Sequence, residues 1–203
     1  MKIQIKQKSS VIVLAALCVW STQAVAIQGT DAIFNCKVFS DDGTANAKKY
    51  YLRENSQRDK QGTLTYTTDA ALATKFTFSR KDSWKNDTGG TAYYMTGGKQ
   101  GGCVGLNSLF TPEVGTTVTT NWPCSATTTK RLVIDNTGVT TDFVIRLESS
   151  SKYWFDGWGG LVNGATIKLN TPQNNGNFGN NQKFSTSGCK TAKNGSNRPN
   201  GGT

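Results

Sequence analysis

"GTTVTTNWPC" (Gly115–Cys124) begins at a glycine, runs through Thr and Val, and ends on an aromatic, a proline and a cysteine. Residues branched at Cβ suit a pleated strand, and a glycine suits the turn that leads into one. Two further stretches open in the same way, "GTLTYTT" (Gly62–Thr68) and "GATIKLN" (Gly164–Asn170), and the three leading glycines are 53 and 49 residues apart. Self-similarity at a fixed period outranks any local reading, because it marks a unit copied along the chain.

Extending outward from each stretch gives the same order of segments. The middle one is flanked by "TAYYMT" (Thr91–Thr96), "GCVGLN" (Gly102–Asn107) and "KRLVID" (Lys130–Asp135). The first is flanked by "FNCKVF" (Phe34–Phe39), "KYYLREN" (Lys49–Asn55) and "TKFTFS" (Thr74–Ser79), and the third by "DFVIRLES" (Asp142–Ser149), "KYWFDG" (Lys152–Gly157) and "QKFSTS" (Gln182–Ser187). All are short, rich in Val, Ile, Thr, Tyr and Phe, and bounded by Gly, Asn, Asp or Ser, while no segment keeps apolar residues at helical spacing over a helix length. The reading is an all-β chain, a β-trefoil of three four-strand repeats. In that fold six strands close a barrel, which removes exposed edges, and six hairpin strands cap one end. An ordinary β-sandwich is the competing architecture.

The N-terminus carries Lys2, Lys6 and Lys8, then the apolar run "VIVLAALCVW" (Val11–Trp20), then Ala24-Val25-Ala26. That order is a secretory signal expected to be cleaved after Ala26, and its apolar run is shorter than the roughly 20 residues that span a bilayer. The expected organisation is residues 1–26 as signal peptide, 27–189 as the trefoil domain and 190–203, "KTAKNGSNRPNGGT", as a flexible tail. Localisation follows: secreted, periplasmic or extracellular, with no transmembrane anchor. Cys36, Cys103, Cys124 and Cys189 remain in the exported chain, an even set that an oxidising compartment would pair in one of three ways. Closure of a trefoil barrel sets the first strand beside the last, so Cys36–Cys189 is expected to clasp the termini, with Cys103–Cys124 inside the second unit.

The formal net charge is +10, and without the signal lysines 20 basic residues against 13 acidic leave +7. A basic surface favours anionic partners. The charges are scattered, though, with none of the long runs of nucleic-acid-binding arms, so nucleic acid is not an expected partner. The chain has no histidine, which removes Ser-His-Asp and Cys-His nucleophile chemistry and most zinc sites. No pair of carboxylates stands in a context suggesting glycoside hydrolysis. The expectation is a protein that is not an enzyme and needs no cofactor or metal.

"GGCVGLNS…VGTTVTTNWPC" resembles the ricin B-type lectin repeat, in which a cysteine-led strand is closed by an aromatic-Pro-Cys ending. "NNQKF" is similar to that family's Asn-Gln-x-aromatic signature, at Asn181, Gln182 and Phe184. The resemblance covers residues 32–188 and makes the domain lectin-like. It implies one shallow sugar pocket per unit, where an Asp and the Asn of Asn-Gln hydrogen-bond adjacent hydroxyls and an aromatic ring packs on the pyranose. Carried onto this chain, the third unit keeps the polar pair as Asp156 and Asn181. Asn170 stands where its aromatic is expected, so Trp154 or Trp158 is left to supply a ring. The second unit keeps the ring as Trp122, but has Gly105 for the Asp and Lys130-Arg131 near the lost Asn-Gln. The first unit, with "YYLREN" and "ATKF", has neither polar residue. Gln182 and Phe184 equally serve structure, the Gln bonding backbone and the Phe filling the barrel base. Trp122 equally covers a disulfide, and the Asn-rich "NTPQNNGNFGNN" (Asn170–Asn181) is either a flexible loop or a polar rim around a glycan.

The function implied is a secreted carbohydrate-binding protein whose partners are glycans or glycoconjugates. Size and degenerate sugar motifs are similar to the trefoil chains of cytolethal distending toxin, so a host-surface-binding subunit with a toxin partner is its specific form. The alternative is a β-trefoil protease inhibitor or protein-interaction module presenting "NSLFTPEV" (Asn107–Val114).

Overall fold

The computed structural model describes residues 32–56, 61–85, 91–98, 101–106, 111–121, 132–136, 142–173 and 176–191. The proposed signal peptide, Trp122, Cys124, residues 107–110 of the candidate inhibitor loop and residues 192–203 of the tail lie outside them.

Among the described residues thirteen strands make one sheet: β1 (Ala32–Ser40), β2 (Tyr50–Ser56), β3 (Gln61–Thr67), β4 (Lys75–Lys85), β5 (Thr91–Gly97), β6 (Gly102–Gly105), β7 (Thr119–Asn121), β8 (Leu132–Asn136), β9 (Phe143–Leu147), β10 (Trp154–Gly157), β11 (Ile167–Asn170), β12 (Ser185–Ser187) and β13 (Lys190–Thr191). Their side chains alternate between faces as a pleated backbone requires. Leu64 and Tyr66 of β3, Phe76 and Phe78 of β4, and Tyr93 and Met95 of β5 are all buried, while Thr63, Thr65, Thr77 and Tyr94 between or beside them are partly exposed. Strands β5, β4, β1, β2, β3, β7 and β6 follow one another by hydrogen bonding, and β6 returns to β5, which closes a seven-strand ring. From β5 the sheet continues through β8, β9, β10 and β11, and β12 pairs with β1. A bridge between Phe143 and Phe184 links β9 to the residue before β12. The three hairpins β2–β3, β6–β7 and β10–β11 touch one another through Thr63↔Thr119, Thr117↔Lys168 and Thr65↔Thr166.

Closure brings the chain ends together. Cys36 of β1 is disulfide-bonded to Cys189, the pair expected of a closed barrel. Just upstream, the β1–β4 register slips between Ile33 and Cys36, and Asn35 takes φ 58°. Asn is among the few non-glycine residues that occupy this left-handed region readily. Cys103 is also disulfide-bonded.

Three details depart from the sequence reading. The tail does not begin at residue 190: Lys190 and Thr191 form β13 against Phe34 and Ile33, continuing the ladder past the disulfide. Gln182 is not in a strand; Asn180–Gln182 forms a single 3-10 turn before β12. The stretch from Gly115 becomes regular strand only at Thr119, because Val118 bonds instead to the backbone of Ile167 in another hairpin. Among the described residues no helix is long and apolar enough to cross a membrane.

Candidate functional site

Strand β10, "WFDG", builds the site by alternation. Phe155 enters the core, fully buried, so Asp156 and Trp154 face the other way. Pairing with β11 sets Trp154 opposite Asn170 and Asp156 opposite Lys168. The 3-10 turn then carries Asn181 to the same carboxylate.

Asp156 is 1% exposed and is held by three side-chain amides. Its Oδ2 accepts from Asn170 Nδ2 at 3.1 Å and Gln173 Nε2 at 2.9 Å. Its Oδ1 accepts from Asn181 Nδ2 at 3.0 Å, and that nitrogen also donates to the Gly157 carbonyl at 3.1 Å. Burial pushes the Asp156 carboxyl above the ordinary carboxylate value; donation from Asn170, Gln173 and Asn181 opposes the shift without cancelling it.

Behind this layer Gln182, fully buried, folds the Asn-rich loop. Its Oε1 accepts the backbone N–H of Gln173 (3.1 Å) and of Gly179 (3.2 Å), and its Nε2 donates to the Thr171 carbonyl at 2.9 Å. Beneath lies Tyr66 of β3, whose hydroxyl shares a hydrogen bond with Ser40 Oγ (2.7 Å) and donates to the Asn181 carbonyl at 3.1 Å. Burial raises the Tyr66 phenol, so it stays a neutral donor. Gly157 lets this ring approach: a Cβ there would sit 2.1 Å from Tyr66 Cε2.

Asp156, Asn170, Gln173 and Asn181 line an open pocket of about 310 Å3 together with Trp158, Gly159 and Gly160. Gly159 and Gly160 have φ of 88° and 98°, a left-handed turn that a side chain would strain and that leaves Trp158 at the rim. Trp158 is 41% exposed, with Lys168 Nζ 4.8 Å from its ring centre. Asn170 and Gln173 each spend one amide N–H on Asp156, which leaves each a second for another acceptor. The set therefore offers a carboxylate, amide donors and one exposed ring side by side.

Of the residues singled out in the sequence, Asp156, Asn181 and Trp158 meet in this pocket. Trp154 does not line it; its ring packs edge-on against Phe178 at 4.8 Å, with the Arg146 guanidinium 5.6 Å away. Gln182 lies behind the pocket and bonds backbone. Asn170 and Gln173 were missed: Asn170, read as the loss of an aromatic, binds the carboxylate directly. The usable signal was the Asn-rich loop, whose polar-rim reading covers Asn170, Gln173 and Asn181 alike. Among the described residues no group of three or more His, Cys, Asp or Glu could hold a metal.

No family model and no curated protein sequence matches the chain. Solved structures resemble it in fold. A designed 3-fold symmetric protein, ThreeFoil, matches with a TM-score of 0.56 at 11% identity over 76% of this chain and 97% of its own. A mosquitocidal holotoxin matches with 0.55 at 13% identity over 76% of this chain, and Cry35Ab1 with 0.50 at 16% identity over 83%. The chain spans 17% of the holotoxin's length and 39% of Cry35Ab1's. Together these likenesses identify the fold as a β-trefoil.

Proposed function

We propose that this chain is a secreted carbohydrate-binding protein without catalysis of its own, built of three four-strand units, with its sugar site in the third. The three-unit reading is supported by the contacts between hairpins. Thr63, Thr117 and Thr166 each meet the next hairpin at Thr119, Lys168 and Thr65, respectively. In every case the receiving residue lies two positions after the one its own hairpin offers, as a unit repeated about an axis would require. The register makes 63, 117 and 166 equivalent, so Gly62 falls one residue later in its unit than Gly115 and Gly164. It also equates Thr67, Asn121 and Asn170, which pair with Tyr51, Cys103 and Trp154. Asp156 then corresponds to Gly105 and Arg53, and a carboxylate stands in the third unit alone.

The observation that carries the reading is the Asp156 carboxylate, ordered by Asn170, Gln173 and Asn181 at the floor of an open pocket with Trp158 on its rim. A carboxylate accepts from a sugar hydroxyl, free amide N–H groups donate to its neighbour, and an exposed indole covers C–H surface. The disulfide Cys36–Cys189 suits an exported protein. That one fold relative is a mosquitocidal holotoxin of which this chain spans only a part favours a host-surface-binding toxin subunit as the specific form.

A glycan array probed with the purified protein tests the proposal. At least one neutral glycan should be retained, and Asp156→Ala or Asn181→Ala should weaken it about tenfold or more, the usual cost of losing a hydrogen bond to a charged group. Retention of a glycan with unchanged affinity in both variants refutes the site.

A further inference from the structure

The first unit has its own pocket at the corresponding place. Phe39 pairs with Tyr51 as Arg146 does with Trp154, and Cys36 pairs with Phe76 as Phe143 does with Phe184. Ala73 and Thr74 therefore occupy the places of Asn181 and Gln182. Thr74, like Gln182, bonds backbone: its Oγ1 accepts the Glu54 N–H at 2.8 Å and its own N–H donates to the Leu52 carbonyl at 3.0 Å. The pocket that results, of about 580 Å3, has Arg53 in place of Asp156, Lys75 at its edge, and Ala71, Leu72 and Ala73 as an apolar wall.

The charges here are not mutually satisfied. Glu54, the one acid on the wall, is committed elsewhere. Thr120 Oγ1 donates to its Oε1 at 2.5 Å, and the side chain is wedged against Gly62 and Gly98, where a Cβ would fall 2.7 Å from its Cγ and 1.7 Å from its Oε2. Arg53, half-buried, and Lys75, exposed, have no ion pair or hydrogen bond to their side chains among the described residues. A guanidinium left free in an open, partly apolar pocket presents a planar fork of donors that matches two oxygens of one anion, and the neighbouring ammonium adds to the same field.

We infer that this pocket is a second ligand site and that it takes an acidic sugar, one carrying a carboxylate or a sulfate ester, through Arg53 and Lys75. The sugar class rests on the carbohydrate-binding reading above, whereas the anion requirement rests on Arg53 and does not need the Asp156 pocket to bind anything.

The test is a calorimetric or NMR titration of the purified protein with methyl glucuronide, the methyl glycoside of N-acetylneuraminic acid and glucose 6-sulfate. Methyl glucoside, sodium acetate and inorganic sulfate are run beside them. At least one acidic sugar should bind, more tightly than the neutral parent and the free anion. Arg53→Ala and the stem-preserving Arg53→Gln should each weaken it about tenfold or more, and added salt should weaken it further. Which acidic sugar responds separates the carboxylate from the sulfate ester. Asp156→Ala should leave this binding unchanged while weakening retention of a neutral glycan about tenfold or more, so the two sites fail separately. Absence of acidic-sugar binding, equal binding of acetate or sulfate, or unchanged affinity in a folded Arg53→Gln variant overturns the inference.

Discussion

Gly157→Ala asks whether the Asp156 site is held in place by Tyr66 of β3. A Cβ at residue 157 would lie 2.1 Å from Tyr66 Cε2 and 3.0 Å from Cδ2 and Cζ, where ordinary contact begins at 3.4 Å. Something must move by more than an ångström, and the ring has little freedom to yield. Tyr66 is 1% exposed, its hydroxyl is bonded to Ser40 and Asn181, and the Tyr50 ring packs against it at 6.0 Å. On the β10 side, Gly157 is paired with Ile167, and Gly160 donates to its carbonyl at 2.8 Å. Overpacking of such a site costs about 1–3 kcal/mol, a large share of the roughly 5–15 kcal/mol that keeps a domain folded. Urea denaturation should show that loss with an unchanged m-value. Combining the variant with Tyr66→Leu removes the ring and should give a favourable coupling of about 1 kcal/mol or more. Combining it with Tyr66→Phe keeps the ring and should give none. A Gly157→Ala protein within about 0.5 kcal/mol of the parent, the range of a neutral surface change, refutes the reasoning, and so does a cost that Tyr66→Leu leaves untouched.

Two further outcomes follow from the same geometry. Because the Asp156 carboxyl titrates above its ordinary value of 3.8 in the folded protein, its stability contribution is fully present below that value and is lost as pH rises through the higher, folded one. The stability of wild type relative to Asp156→Asn should therefore increase as pH falls from neutrality toward the ordinary carboxylate range, and a difference that is flat or shrinks on acidification contradicts the burial argument. Replacing Cys36 and Cys189 together by Ala opens a link across 153 residues and should lower stability by about 5 kcal/mol in the chain-entropy account; a loss under about 1 kcal/mol by denaturant titration would mean that the sheet holds the ends without it.

What could be read beforehand divides along a physical line. Strands were legible because alternation is written locally: "GTLTYT" must bury Leu64 and Tyr66 together whatever surrounds them. The Cys36–Cys189 link was legible because barrel closure fixes which strands are neighbours. Register was less so. The leading glycines suggested spacings of 53 and 49, while hairpin contacts equate Thr63 with Thr117, one residue further on. A glycine marks a turn, and a turn can take one residue more or fewer without disturbing the strand that follows.

The site shows the same division more sharply. Asp156 and Asn181 lie 25 residues apart and were named from their place in a motif, but a motif records a pattern and says nothing of what replaces its missing members. Asn170 looked like a defect because an aromatic was expected there. Seen across the β10–β11 ladder, it is the residue opposite Trp154, within amide reach of Asp156. Arg53 looked equally like an absence, the first unit lacking its Asp. On the proposed three-unit register a guanidinium stands where Asp156 supplies a carboxylate, and because Glu54 turns away to Thr120 that guanidinium is left without a partner among the described residues. On the proposed two-site reading, a substitution at an equivalent position changes the ligand charge a pocket accepts, and the pockets of Arg53 and Asp156 should be titrated with acidic and neutral sugars respectively.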